Sequence, residues 1–76
     1  MERYGNLSGD SGVRAYELRR GGIVVEFVNG SAYLYTGASA GKEQIVEMKR
    51  RACAGRGLST YISQTVRDGY AEQLRG

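Results

Sequence analysis

Ile23-Val24-Val25-Glu26-Phe27-Val28-Asn29-Gly30-Ser31-Ala32-Tyr33-Leu34-Tyr35-Thr36 decides the fold. A β-branched and aromatic run, a turn dipeptide and a second such run in succession describe a β-hairpin. Asn29-Gly30 supplies two residues able to take positive φ, so a two-residue loop is expected, with Val28 facing Ser31, Glu26 facing Tyr33, Val25 facing Leu34 and Val24 facing Tyr35. Facing residues share one side of a sheet. Ile23, Val25, Phe27 and Leu34 then make the core face, and Tyr33 and Tyr35 lie outside the main core beside Val24 and Glu26. A three-residue loop would slip the register by one and move both tyrosines onto the face of Val25 and Phe27, so their placement hangs on the turn.

Upstream, Gly12 to Leu18 reads as a first strand, and Arg19-Arg20-Gly21-Gly22 as the basic turn that joins it to the second. Residues 1–11 are rich in Gly, Ser, Asn and Asp and poor in apolar side chains, the composition of a flexible arm. Downstream, Ser39 or Ala40 to Ala54 reads as a helix. Ile45, Met48 and Ala52 form its stripe, Glu47 faces Arg50 and Arg51, and Gly55 and Gly57 end it. Ser59 is placed to cap a second helix running to Asp68 or beyond, with Leu58, Ile62, Val66, Tyr70 and Leu74 at successive i+4 steps. The expected architecture is an α+β domain over residues 12–76, a three-stranded antiparallel meander followed by two helices packed on one face.

At 76 residues the chain holds one small domain. It has 41% hydrophobic residues and no apolar run near the ~18 residues of a membrane helix, so no membrane partner is expected. No secretory h-region follows Met1, and the single cysteine suits a reducing compartment, so a cytoplasmic location is expected. The absence of histidine removes His-dependent triads, and with one cysteine it also removes His/Cys zinc sites and internal disulfides. No metal or cofactor is expected.

Three local patterns have ordinary readings. Gly37-Ala38-Ser39-Ala40-Gly41-Lys42-Glu43 has three residues between its glycines where a phosphate-cradling loop needs four, and Glu43 stands where Ser or Thr would ligate magnesium. Glu43 and Glu47, one helical turn apart among Lys42, Lys49, Arg50 and Arg51, suit a salt-bridged surface better than acid–base chemistry. Cys53 reads as a small buried thiol with no base to activate it. No enzymatic activity is expected.

Eleven Lys and Arg against eight Asp and Glu give a net charge of +3, which permits an anionic partner. The cations cluster as Arg19-Arg20 and as Lys49-Arg50-Arg51 with Arg56. With Tyr33 and Tyr35 on an exposed sheet face, these would form a stacking platform ringed by phosphate contacts, a nucleic-acid-binding surface. The alternative is a protein-interaction or self-associating module that buries the same tyrosine face against a partner or a second copy.

Gly12 to Ile62 resembles the KTSC domain, a short module found at the C-terminus of some lysyl-tRNA synthetases and as a stand-alone bacterial protein. The residues that carry the resemblance are Tyr16-Glu17, the alternating Ile23, Val25 and Phe27, the turn Asn29-Gly30, and Tyr33-Leu34-Tyr35-Thr36-Gly37 as the Y-x-Y motif. Ala52, Cys53, Gly55, Leu58-Ser59 and Ile62 follow in the family's order. Ala38, Ser39, Cys53, Ser59 and Ser63 depart from its usual residues. The family has no assigned chemistry, and its synthetase context implies RNA as a partner.

Overall fold

A computed structural model describes residues 1–5 and 12–76. Among them five strands form one antiparallel sheet in sequence order: β1 (Glu2–Arg3), β2 (Val13–Arg19), β3 (Gly22–Phe27), β4 (Ala32–Thr36) and β5 (Glu72–Arg75). Between β4 and β5 run α1 (Gly37–Ala40), α2 (Lys42–Ala54) and α3 (Leu58–Tyr61), the last continuing into a π-helical turn over Ile62–Val66. The α+β class is as expected, but the three-stranded sheet is extended to five by a strand at each end of the chain.

The central hairpin adopts the three-residue loop. Glu26 faces Ala32, Val25 faces Tyr33, Val24 faces Leu34 and Ile23 faces Tyr35, one residue out of the expected register. Gly30 N–H donates to Phe27 O at 2.9 Å and Phe27 N–H to Ser31 O at 2.8 Å, closing a turn in which Gly30 sits at φ 94°. Ser31 N–H donates to Asn29 Oδ1 at 2.9 Å. Asn-Gly suits this bulged loop as well as the tighter one, so the local signal is ambiguous and packing decides. The bulged register turns two tyrosine rings inward, each carrying about 150–250 Å² of surface. The other register would turn Ala32 and Leu34 inward instead.

The face so formed carries Ile23, Val25 and Tyr35. Against it pack Ile45, Met48 and Ala52 of α2, Leu58 of α3, and Ile62 and Val66 of the π-helical turn. The α2 stripe is the one read from the sequence. Leu34 lies on the opposite face with Ala15, Val24 and Ala32. Ala32 is small enough for Glu26 on β3 and Arg75 on β5 to form an ion pair across it.

Both ends of the chain differ from the expected arm and long helix. Glu2–Arg3 pair with β2, and the Tyr4 ring is 3% exposed in the core, its hydroxyl accepting a hydrogen bond from Leu58 N at 3.1 Å. Residues 6–11, the remainder of the expected flexible arm, lie outside the described residues. Ser59 does not cap the last helix, since Gly57 occupies the N-cap in the left-handed region. That helix ends at Val66, where Arg67 takes φ 55°, and Asp68-Gly69 turns the chain back to the sheet. Tyr70 and Leu74 are therefore not helical, and Leu74 lies in β5. No described helix is long and apolar enough to cross a membrane.

Candidate nucleic-acid interface

A glycine and a capping box set the path of α2, which carries Lys49, Arg50 and Arg51 of the expected cations. Thr36 accepts from Ser39 N through its hydroxyl while the Ser39 hydroxyl accepts from Thr36 N, which starts α1 directly at the end of β4. Gly41, at φ 96°, then breaks the helical path after one turn, a backbone position a side chain would strain. The restart at Lys42 directs α2 across the sheet with Ile45, Met48 and Ala52 inward.

Cations stand on the outer side and on both flanks of α2. Lys49 Nζ donates to the carbonyl of Arg19 at 2.8 Å, thirty residues away, and so holds the basic β2–β3 turn against the helix. Arg19 is paired with Glu17 at 2.7 Å, while Arg20 is exposed on the turn beside it. Towards the other end of α2, Arg50, Arg51 and Arg56 line one hollow of about 350 Å³ with Ala54 and Gly57. Arg51 donates to Gly57 O at 3.1 Å and lies over the Tyr61 ring, 4.6 Å from its centroid.

Glu47 is the acidic counterweight in this surface. It accepts from Arg50 and Arg51, each at 2.5 Å, and those two hydrogen bonds hold its carboxyl down at about 2. The expected salt-bridged helix face is present at Glu47 alone, since Glu43, Lys42 and Lys49 form no ion pair among the described residues. Among the described residues Arg20, Lys49 and Arg56 have no carboxylate partner, and Arg50 and Arg51 share one.

The tyrosines are not part of this surface as expected. Tyr35 is 2% exposed, and burial first, then the neighbouring Tyr33 and Tyr70, push its phenol up to about 12. Tyr33 is half-buried, its ring 5.8 Å from Phe27 and 4.6 Å from Tyr70. The register puts both on the helix-covered face, so the exposed tyrosine platform read from the two-residue loop does not form. Tyr70 was missed as their partner because it continued an apparent helical ladder. Asp68-Gly69 is the signal that would have separated it.

Cys53 is exposed near the end of α2, not buried as expected, and lies beside the Tyr16 phenol. Burial first, and then the neighbouring thiol, raise that phenol above its ordinary value. Among the described residues no three of Cys, Asp and Glu gather where they could hold a metal ion. No family model, curated protein or solved structure matches the chain.

Proposed function

We infer that the protein is a non-catalytic module that binds RNA or another nucleic acid through the phosphate backbone, using Arg19, Arg20, Lys49, Arg50, Arg51 and Arg56. The observation that supports this reading is the Lys49–Arg19 contact, which ties one residue of each cationic cluster together at the β2–β3 turn. Guanidinium groups suit phosphate oxygens through paired donors. Backbone contacts of this kind position a nucleic acid without reading its sequence. The resemblance to KTSC domains supports RNA as the polymer.

With Tyr35 inside the core, base stacking on the tyrosines is not part of the mechanism. The alternative of a partner or second copy on the Tyr33/Tyr35 face meets the same obstacle at Tyr35, which is 2% exposed, while Tyr33 is half-buried against Phe27 and Tyr70. The non-catalytic reading rests on Glu47, the carboxylate nearest the cations, being committed to two guanidiniums.

Fluorescence anisotropy with two short single-stranded RNAs of unrelated sequence tests the proposal. Arg20→Ala and Arg56→Ala, both at exposed positions, are expected to weaken binding to the two RNAs equally, by about two- to fivefold each. Unchanged affinity in both variants, or a loss confined to one RNA, would overturn it.

A further inference from the structure

Between the β2–β3 turn and the first half of α2 lies a groove of about 660 Å³, within the size range of small-molecule sites. Its apolar lining includes Gly37, Ala38, Ile45 and Val46, and its charged lining is Arg20, Lys42 and Lys49 with no acidic residue. The walls are tied together by the backbone, since Gly37 N–H donates to Gly21 O at 3.0 Å and Lys49 holds Arg19 O. Gly37 also leaves room for Lys42, whose Cγ would be 3.3 Å from a Cβ at that position.

Val46 is a large apolar side chain left 67% exposed on α2, outside the Ile45/Met48/Ala52 stripe, and core packing does not account for it. Lys42 makes no ion pair among the described residues, and Lys49 uses one of its three N–H donors on Arg19 O, leaving two. An apolar floor ringed by three cations complements a ligand with a hydrocarbon body and one anionic head. A nucleic acid does not explain the floor, because its backbone presents phosphate and sugar.

We propose that this groove binds a free single-chain amphipathic carboxylate, the chain against Ile45 and Val46 and the head at Lys42 and Arg20. The site stands independently of the nucleic-acid reading, although the ligand would compete with RNA for Arg20 and Lys49.

The test is an amide-shift titration of the whole chain with sodium octanoate and, separately, octan-1-ol. Octanoate is expected to give saturable shifts at Gly21, Gly37, Ala38 and Val46, and to bind at least about twofold more tightly than the alcohol. Lys42→Ala is expected to weaken octanoate by about two- to fivefold and to leave the alcohol unchanged. Val46→Gln, at an exposed position that should fold normally, is expected to weaken both. No saturable shifts at millimolar octanoate, shifts mapping elsewhere, or equal affinity for acid and alcohol would each overturn the proposal. None of these outcomes depends on whether RNA binds.

Discussion

Replacing Tyr4 tests whether the N-terminal residues belong to the core. Its hydroxyl accepts the N–H of Leu58, the first residue of α3, and the preceding Gly57 has no side chain to do so. In Tyr4→Phe that donor is buried without a partner, a cost of about 1–3 kcal/mol. Tyr4→Ala adds the loss of a ring that is 3% exposed, and large-to-small core changes of this type cost about 3–5 kcal/mol. A domain of this size has a total stability of about 4–11 kcal/mol at typical per-residue values, so Tyr4→Ala is expected to remove most or all of it. Each kcal/mol corresponds to about 4–8 °C, which puts the midpoint of Tyr4→Phe roughly 4–24 °C below the parent's. Urea and thermal unfolding followed by circular dichroism measure both variants. A Tyr4→Ala protein within about 0.5 kcal/mol of the parent, the range of ordinary surface substitutions, would show that the segment is not docked.

Two pH dependences follow from the ionisable groups. The Glu47 carboxyl, lowered from 4.5 to about 2, contributes stability that is present above pH 4.5 and lost as pH falls through 2. Glu47→Gln is therefore expected to be less stable than the parent at neutral pH, with the difference closing below about pH 2 in acid unfolding curves. Tyr35, raised from 10.0 to about 12, contributes stability that is present below pH 10 and lost as pH rises through 12. In an ultraviolet titration it should ionise after the exposed tyrosines, and Tyr35→Phe should remove that late component. A titration of the parent with no component near 12 would place the ring outside the core.

The elements that were legible in the sequence are those whose side chains carry a strong period. Ile23, Val25 and Phe27 alternate, and Ile45, Met48 and Ala52 recur at helical spacing, so β3 and α2 could be read before their partners were known. The hairpin register was not legible, because Asn29-Gly30 satisfies two loops and only the packing of Tyr35 in the core, with Tyr33 against Phe27 and Tyr70, separates them. β1 carries no pattern at all, since Glu2 and Arg3 are exposed and the segment is held through the next residue, Tyr4. β5 was hidden by Tyr70 and Leu74 continuing the spacing of Leu58, Ile62 and Val66. The same limits apply to the candidate interface. Its cationic residues were visible as two clusters, but the contact between them, a lysine reaching a backbone carbonyl thirty residues away, is one no local pattern announces.

The salt dependence of RNA binding tests the proposed phosphate contacts most directly. Arg20, Lys49 and Arg56 have no carboxylate partner among the described residues, and Arg50 and Arg51 share Glu47, which leaves four uncompensated charges on the surface. For a single strand, the logarithm of the binding constant against the logarithm of salt concentration is then expected to fall with a slope of about −3, and Glu47→Gln to steepen it by about 0.7. Binding whose slope is near zero, or a Glu47→Gln variant whose slope is no steeper than the parent's, would contradict it.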